Sequence, residues 1–381
     1  MSSGKWINDE VLSSLLSLLS KAGSRYWIGV DIGATNTRVS LATESENLLL
    51  CRFVAGSTRH QLQVFEQLAQ ELSPVVRSQP SSGSAIAGAG RILKQGEEID
   101  ITNFKGGPEH RFLLRSELPP LLFPLPVTVF LNDLQAASYG VLSLAMSGRL
   151  GSYFSPLWGK QVDIQSQGGH YLIVAPGTGL GASALLWFGD VQKYIAMPLE
   201  AGHTSVPLLG PDHPDFAYES DLFAFVSRKC WQGRCAIEFE DLVCGQGVVN
   251  IYLWLCDRHR HTPPATLDAQ VIVDLAFAEP ADALASEALY LHYRFMARFS
   301  ANLTVCTQVA GVFWAGSNQV LNDKFIRSRA ADLQRDWSQH SKAEWLQDVP
   351  VLGQIQDVNV NILGTILIAQ RQVAPQINAN L

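Results

Sequence analysis

Strand-like stretches rich in apolar residues recur three times near the N-terminus, with short polar breaks between them, and this pattern predicts an antiparallel meander. The strands are expected at Tyr26–Asp31, Thr37–Ala42 and Asn47–Val54, with turns between them that are too short for helices. The same plan of strand, glycine turn and strand begins again at Tyr171 and continues to Met197. Two copies of one plan, without obvious sequence repetition, indicate two α/β domains.

Other elements are indicated by helical spacing and by short apolar runs. Helices are expected near 62–72, 242–256, 286–309 and 360–372, and buried strands at 85–89 and 311–315. The last of these helices is expected to return to the first domain. Residues 144–169 are rich in Ser and Gly and lack a sustained period, so we expect a surface excursion there.

Residues 1–25 are predicted to contain an amphipathic helix. Apolar positions recur at the intervals of one helical face, at Leu12, Leu15, Leu16 and Leu19. Asn8 can cap this helix and Gly23 can end it. We expect it to pack on the body of the protein or on a neighbouring subunit. A transit peptide is the less favoured alternative, because acidic residues come early in this stretch.

Composition narrows the class of protein. The chain has 381 residues, 47% of them hydrophobic, which suits two cores rather than one. A formal net charge of −7 argues against a nucleic-acid partner, because proteins that bind a phosphate backbone present basic surfaces. No apolar run reaches about 18 residues, so no membrane span is expected. A small soluble ligand is the expected partner.

The six cysteines are scattered and form no CxxC pair, which suits a reducing compartment, and we expect a cytoplasmic protein. Cys230 and Cys235 flank the sequence WQGR. A zinc site there would need a second pair of cysteines or suitably spaced histidines. Free thiols in or under a surface loop are the favoured interpretation.

Two turns between apolar strands are candidate phosphate-binding sites. The first contains Gly33, Ala34, Thr35 and Asn36, and the second contains Gly177, Thr178 and Gly179. Small residues let several backbone N–H groups approach a phosphate, and each threonine adds a hydroxyl donor. Taken alone, each turn is equally well explained as a tight hairpin.

The second turn, in the sequence GTGLGA, also matches the GxGxxA fingerprint of dinucleotide-binding proteins. That fingerprint requires a helix directly after the turn, whereas residues 182–188 have the pattern of a strand that leads into a further strand. A hairpin is therefore favoured over a nicotinamide-binding fold. The chain contains neither a Walker A sequence nor the HRD and DFG motifs, which excludes the P-loop and protein kinase classes.

A predicted strand that begins at Val127 delivers Asn132 and Asp133 to its end, directly before an alanine-rich helical stretch. A carboxylate at this point can take a proton from a substrate hydroxyl. An aspartate that only caps the following helix is the alternative. Together with the two candidate phosphate-binding turns, the carboxylate suggests phosphoryl transfer.

Six motifs occur in a fixed order: DIGATNTR, LNDLQAAS, APGTGLG, PLEAGH, CGQGVVNIY and GVFWAGSNQ. In this order they resemble the glucokinase family of bacteria and unicellular eukaryotes, over residues 26–372. The resemblance implies an α/β, two-domain actin-like ATPase (ribonuclease H-like) fold with an interdomain cleft. It also implies a small domain of residues 26–142 plus 357–381, a large domain of residues 143–356, and a homodimer.

The resemblance further implies ATP-dependent phosphorylation of D-glucose at O6, the first step of glycolysis. Asp133 would be the general base, and the sugar contacts would be Asn132, Asp133, Glu200, His203, Glu240 and, more weakly, Asn103. Glu240 is assigned by its spacing before CGQG, although Glu238 and Asp241 are near. The spacing of Glu200 and His203 also fits a metal site, but such a site would need further ligands. A kinase of another hexose and a non-catalytic sugar sensor on the same fold remain alternatives.

On the nucleotide side, the resemblance implies that Asp31 holds Mg²⁺ through water, consistent with the reluctance of Mg²⁺ to dehydrate. The ATP-binding residues would be Gly33, Ala34, Thr35, Asn36, Gly177, Thr178, Gly179, Gly316 and Ser317. Ala34 and Ser317 each replace a glycine of the family pattern. These replacements bear on the choice of phosphoryl donor, because relatives that use ADP or polyphosphate could tolerate them too.

Overall fold

The structure is a computed structural model. It describes residues 6–19, 24–33 and 36–372, without the side chains of residues 166 and 167. Gly23, Ala34 and Thr35 lie outside the described residues. The roles expected for these three residues therefore stay predictions.

The chain divides into two compact units. Unit 1 consists of Met1–Gly148 and Asn359–Leu381, and unit 2 consists of Arg149–Val358. These divisions lie a few residues beyond the expected domain boundaries at 142/143 and 356/357. The chain therefore enters unit 2 directly after the alanine-rich helix and leaves it directly before the last helix.

The strands and helices follow in chain order. The strands are β1 (Trp27–Ile32), β2 (Thr37–Ala42), β3 (Asn47–Phe53), β4 (Gly83–Gly88), β5 (Gly90–Leu93), β6 (Glu98–Ile101), β7 (Phe112–Leu114), β8 (Thr128–Asn132), β9 (Phe154–Trp158), β10 (Tyr171–Pro176), β11 (Leu180–Phe188), β12 (Lys193–Leu199), β13 (Gly311–Trp314) and β14 (Val351–Gln354). The helices are α1 (Asp9–Leu18), α2 (Thr58–Leu72), α3 (Pro108–Arg111), α4 (Asp133–Met146), α5 (Leu150–Tyr153), α6 (Ile164–Gln167), α7 (Phe216–Trp231), α8 (Gly245–His259), α9 (Ala269–Ala276), α10 (Ala283–Thr307), α11 (Ser317–Leu321), α12 (Asp323–Ser328), α13 (Ala330–Trp337), α14 (Ala343–Leu346) and α15 (Val360–Arg371). Unit 1 contains β1–β8, α1–α4 and α15, and unit 2 contains the rest.

The main sheet of unit 1 has the strand order β3-β2-β1-β4-β8. Strands β1, β2 and β3 pair antiparallel, which confirms the predicted meander, while β1, β4 and β8 are parallel. The carboxyl ends of the parallel strands share one edge of the sheet, where Ile32 is paired with Gly88 and Gly88 with Asn132. This edge is where ligands bind in open α/β sheets.

Helix α1 packs on unit 1, as the sequence predicts. Leu15 and Leu19 are buried in the core of unit 1, whereas Leu16, expected on the same face, is 55% exposed. The Asn8 side chain caps the helix by accepting a hydrogen bond from the backbone N–H of Val11 (2.8 Å). The helix thus belongs to the core of unit 1 rather than forming a separate segment.

The sheet of unit 2 has the order β12-β11-β10-β13-β14-β9. Strands β10, β11 and β12 pair antiparallel, which confirms the second predicted meander, and β13 and β14 continue the sheet parallel to β10. The prediction of a surface excursion at 144–169 is wrong. This segment contains β9, which pairs with β14 and buries Phe154 and Trp158. A five-residue strand is too short to show a period in a Ser- and Gly-rich context.

A buried ion network crosses the helices of unit 2. Arg298 of α10 donates to both carboxylate oxygens of Glu219 on α7, at 2.8 and 2.9 Å. Arg294, one turn earlier, lies 2.9 Å from a carboxylate oxygen of Asp336 on α13. Glu219 is fully buried, so its charge depends on these arginines.

No helix in the described part of the chain is long and apolar enough to cross a membrane. All six cysteines are free thiols, and Cys51, Cys244 and Cys256 are buried. Within residues 6–19, 24–33 and 36–372, no group of three or more His, Cys, Asp or Glu side chains is arranged to hold a metal ion.

Candidate active site

The sequence-predicted base, Asp133, lies at the junction of β8 and α4 in unit 1. Asn132 is the N-cap of α4, and its side-chain oxygen accepts from the backbone N–H groups of Leu134 (2.9 Å) and Gln135 (3.4 Å). The capping function that could have explained Asp133 is therefore carried by its neighbour. Asp133 is only partly buried, and its Oδ1 accepts from the N–H of Leu134 at 3.0 Å. A negative charge in the first turn of a helix is favourable.

Asn132 and Asn103 flank the same segment of unit 1. The Asn132 amide donates to the carbonyl of Gly90 (3.1 Å), and the N–H of Thr102 donates to the carbonyl of Ala89 (3.0 Å), which fixes the turn that carries Asn103. Asn103 is half-buried in this turn after β6. The Ala89–Gly90 backbone thus contacts both Asn132 and the turn that carries Asn103.

Asp31 is buried at the end of β1 and is held by three side chains. Its Oδ2 accepts from Arg38 (3.2 Å) and from Asn359 (2.8 Å), and its Oδ1 accepts from Asn361 (3.0 Å). Arg38 is the cross-strand neighbour of Asp31 on β2, and the two asparagines come from the start of α15. These contacts fix the carboxylate in one orientation.

The surroundings of Asp31 decide how it could serve Mg²⁺. Direct coordination fits poorly, because Arg38 and Asn359 already occupy Oδ2. Oδ1 accepts one hydrogen bond and keeps a second lone pair, which can accept from a metal-bound water. The residues present therefore fit the predicted water-mediated contact, and they do not form an all-protein metal cage.

The turn that follows β1 is closed by the N–H of Gly33, which donates to the carbonyl of Asn36 (3.0 Å). The side-chain oxygen of Asn36 accepts from Arg52 Nε at 2.9 Å. This side chain is therefore already anchored to β3. A phosphate contact by Asn36 would use its backbone or its amide nitrogen.

The second predicted phosphate turn joins β10 and β11 of unit 2. These strands form an antiparallel hairpin with Pro176 paired to Leu180, so no helix follows the turn and the dinucleotide-binding alternative is wrong. Gly177 and Thr178 are exposed at the tip. Exposed backbone N–H groups at the tip of a tight turn can serve as donors to a phosphate.

A single 3-10 turn, Ala201–His203, follows β12, with Glu200 as its N-cap and His203 as its last residue. Nδ1 of His203 is 2.8 Å from a carboxylate oxygen of Glu238, and this hydrogen bond raises the pKa of His203. Position 202, between Glu200 and His203, requires glycine, because a Cβ there would lie 2.4 Å from the carbonyl oxygen of Leu180. The turn is thereby pressed against the start of β11.

Glu240 lies in a second 3-10 turn, Phe239–Asp241, before α8. Its Oε2 accepts from the backbone N–H of Leu180 at 2.7 Å. Within unit 2, therefore, Glu200, His203 and Glu240 all approach the start of β11. The assignment of Glu240 from spacing alone remains a prediction, with Glu238 now identified as the partner of His203.

Gly316 is the N-cap of α11 and Ser317 its first residue, at the carboxyl edge of the unit 2 sheet after β13. The N–H of Gly316 donates to the side chain of Gln354 (2.9 Å), and the amide of Asn318 donates to the carbonyl of Pro176 (3.3 Å). Ser317 is exposed. The structure thus brings the predicted adenosine-side residues of unit 2 next to the phosphate turn that begins at Gly177.

Several residues that shape the site are absent from the sequence prediction. Glu238 orients His203, Asn359 and Asn361 hold Asp31, and Gln354 anchors Gly316. The asparagines lie more than three hundred residues from Asp31, so no local pattern connects them. The sequence showed Glu238 as a near neighbour of Glu240, but it gave no sign that Glu238 contacts His203.

A cavity of about 530 Å³ elsewhere in unit 2 contains none of the predicted site residues. Its walls include Arg294, Asp336 and Tyr290, which are already joined in the ion network and by a hydrogen bond from Tyr290 to Asp336 (2.8 Å). These groups already contact one another within the fold, so the predicted site remains the candidate active site.

Comparison with known proteins decides the family. A family model described as Glucokinase matches residues 28–372. The chain belongs to the glucokinase family. Probable glucokinase 2 of Trichomonas vaginalis is 29% identical over 345 residues, which cover 89% of this chain and 90% of that protein. Motif order and whole-chain similarity thus agree on one family.

Solved structures of glucokinases share the fold. Glucokinase from Balamuthia mandrillaris, solved in complex with glucose, is 36% identical, has a TM-score of 0.88 and covers 96% of this chain and 100% of that chain. A ROK family glucokinase from Streptomyces griseus, solved with glucose and AMPPNP, is 14% identical with a TM-score of 0.57, over 92% of this chain and 100% of that chain, and shares the fold alone. The predicted actin-like sugar kinase fold and the prediction of a glucokinase enzyme are confirmed.

Proposed function

We propose that this member of the glucokinase family transfers the γ-phosphoryl group of ATP to O6 of D-glucose, giving glucose 6-phosphate and ADP. The observation that carries the proposal is Asp133, a partly buried carboxylate in the first turn of α4, directly after the N-cap Asn132 at the end of β8. Family membership supports the reaction, and the Balamuthia mandrillaris relative is a glucokinase solved in complex with glucose.

In the proposed mechanism Asp133 is the general base. A sugar hydroxyl is a poor nucleophile, and a carboxylate within hydrogen-bond reach can accept the O6 proton as O6 attacks the γ-phosphorus and the bond to ADP breaks. The hydrogen bonds at the β8–α4 junction support this role, since positioning contributes much of the rate of phosphoryl transfer.

The proposed sugar contacts are Asn132, Asn103, Glu200, His203 and Glu240. Carboxylates accept hydrogen bonds from sugar hydroxyls, and amides and imidazole can also donate, so this set matches the mixed character of glucose. We further propose that water is excluded from the bound substrates, which protects ATP from hydrolysis.

The proposed ATP contacts are the turns at 33–36 and 177–179, with Gly316 and Ser317 on the adenosine side. When bound, Mg²⁺ would neutralise charge on the phosphates, with Asp31 accepting from one of its waters. The N–H groups of Gly33 and Gly177 close their own turns, and the exposed Thr178 at the tip of the second turn supports phosphate binding there. The Streptomyces griseus relative was solved with AMPPNP, which supports ATP as donor.

We also propose that the enzyme is a cytoplasmic homodimer that performs the first step of glycolysis. Its free cysteines suit a reducing compartment. The outer face of β11 and β12 exposes Phe188, Ile195 and Met197, an apolar surface suited to contact between subunits. Sedimentation analysis tests this point, because a purely monomeric species at micromolar concentration contradicts the dimer.

The function is tested by measuring ADP and sugar phosphate formed from Mg-ATP with glucose, mannose, fructose, N-acetylglucosamine or no sugar. We expect strong turnover with glucose. Turnover only with another sugar would overturn the proposed substrate and favour a kinase of another hexose. If no product forms with any sugar while ATP still binds, the result would contradict the proposed reaction and favour a sugar sensor or another phosphoryl donor.

A further inference from the structure

One short segment of unit 2, residues 237–245, contacts both sets of predicted site residues. On the sugar side, Glu238 binds His203, and the N–H of Phe239 donates to the carbonyl of Thr204 at 3.0 Å. On the donor side, the N–H of Gly245 donates to the carbonyl of Gly177 at 3.0 Å. The segment therefore ties the turn that carries His203 to the turn predicted to hold phosphate.

Glu240 lies at the centre of this connection. Its Oε2 accepts from the N–H of Leu180, the residue that directly follows the phosphate turn. The same oxygen lies so close to Gly179 that a Cβ there would be only 2.7 Å away. The carboxylate therefore packs on the Gly179–Leu180 peptide, and any side chain at position 179 would displace it.

The phosphate turn is consequently held at both ends. Gly245 fixes the carbonyl of Gly177, and Glu240 fixes the N–H of Leu180. The turn itself is closed by the N–H of Gly177, which donates to the carbonyl of Gly179 at 2.8 Å. The exposed Thr178 between these anchors is the part left to contact a ligand.

We propose that Glu240 is a positioning residue for the phosphoryl donor as well as a sugar contact, and that it couples the binding of glucose to the binding of ATP. The coupling rests on the proposed function of this site. One oxygen of Glu240 orders the phosphate turn, and the carboxylate also accepts from a sugar hydroxyl. Whichever substrate binds first restrains the carboxylate, so the second loses less conformational freedom and binds more tightly.

The two substrates must then raise each other's affinity by the same factor, because coupling between binding sites is reciprocal. A residue that contacts sugar alone would behave differently. Its removal would weaken glucose binding and leave the affinity of the sugar-free enzyme for nucleotide unchanged. Nucleotide binding without sugar therefore separates the two roles of Glu240.

The test is calorimetric titration of the sugar-free enzyme with Mg-AMPPNP. We expect Glu240→Ala to raise the Kd for AMPPNP by roughly 5- to 10-fold, as loss of a charge-assisted hydrogen bond predicts. Glu240→Gln keeps an oxygen acceptor for Leu180 N–H, and it should stay within about twofold of wild type. Glu200→Ala removes another predicted sugar carboxylate that has no described contact with the turn, and it should also leave the AMPPNP Kd unchanged.

An AMPPNP affinity of Glu240→Ala equal to that of wild type would overturn the proposal. If Glu240→Ala does not fold, Glu240→Asp decides, because its shorter side chain withdraws the carboxylate from Leu180 while keeping the charge. Equal affinities of the Asp and Gln variants would then overturn the proposal.

A second readout is the factor by which saturating glucose tightens AMPPNP binding. We expect it to exceed one in wild type and Glu240→Gln and to fall towards one in Glu240→Ala. An unchanged factor in Glu240→Ala contradicts the coupling. A wild-type enzyme that binds both ligands without phosphorylating glucose from ATP would instead contradict the proposed function, so the two failures are distinguishable.

Discussion

At the residue scale, His203 is held by Glu238 rather than by either carboxylate predicted as its companion in the sugar site. The hydrogen bond to Glu238 raises the pKa of His203, and the charges of Glu240 and Glu200 add to this effect. The protonated form consequently persists to higher pH than in an isolated histidine. Its contribution to stability is complete below the ordinary pKa of histidine and is lost as the pH rises through the raised pKa. The contribution is small, since the side chain is 55% exposed.

This titration predicts a pH dependence of glucose binding. Protonated His203 can donate from Nε2, whereas the neutral form with its proton on Nδ1 can only accept there. We expect the KM for glucose to change through a midpoint above the ordinary pKa of histidine. Glu238→Gln should move that midpoint to lower pH, and steady-state kinetics from pH 6 to 9 would measure the shift. An identical midpoint in both enzymes would show that Glu238 does not control the protonation of His203.

Sequence alone could indicate Asp133 and Asn132 as candidate site residues, because their motif lies in one continuous strand–helix junction. It could not divide their roles, since which of two neighbouring polar side chains caps a helix depends on backbone geometry. The hydrogen bonds from Asn359 and Asn361 to Asp31 could not be predicted from the sequence either. Contacts over such separations in the chain follow from the docking of α15 on the sheet rather than from any local pattern.

At the element scale, helix α10 is joined to α7 by the pair Arg298–Glu219, with side chains 9% and 0% exposed. Removing Arg298 leaves the buried Glu219 carboxylate with only its 3.3 Å ion pair to Arg294, so part of a buried charge loses its compensation. We therefore expect Arg298→Met to lower the free energy of unfolding by about 3 kcal/mol, measured by urea denaturation followed by tryptophan fluorescence.

Arg335→Met is the matched control. Arg335 pairs with Asp332 on the surface of α13, and its side chain is 76% exposed. The same substitution there should change stability by less than about 0.5 kcal/mol. Equal effects at positions 298 and 335 would show that the buried pair is not a stabilising link between α7 and α10.

Helices and strands were predicted correctly where the sequence pattern was clear and turn residues marked both ends of the segment. Strands β1–β3 and β10–β12 come from short, mainly apolar stretches bounded by turn residues, and α15 comes from a longer, mainly apolar stretch. It failed at 144–169, where β9 is short and its strand conformation depends on pairing with β14. Its partner follows almost two hundred residues later, and tertiary pairing of this kind has no local signature.

At the scale of the whole molecule, two α/β units each carry half of the predicted site residues. Asp31, Asn132 and Asp133 lie in unit 1, and Glu200, His203, Glu240 and Gly177–Gly179 lie in unit 2. The repeated meander in the sequence anticipated this division, because each meander starts one sheet.

The central claim is that Asp133 is the base in ATP-dependent phosphorylation of glucose. The most direct measurement is kcat for Asp133→Asn and Asp133→Ala at saturating glucose and Mg-ATP, with calorimetric binding of AMPPNP and glucose to confirm that both variants fold. We predict a loss of roughly 10²- to 10⁴-fold in kcat with nucleotide binding retained. A kcat close to that of wild type in a variant that binds both substrates would contradict the account.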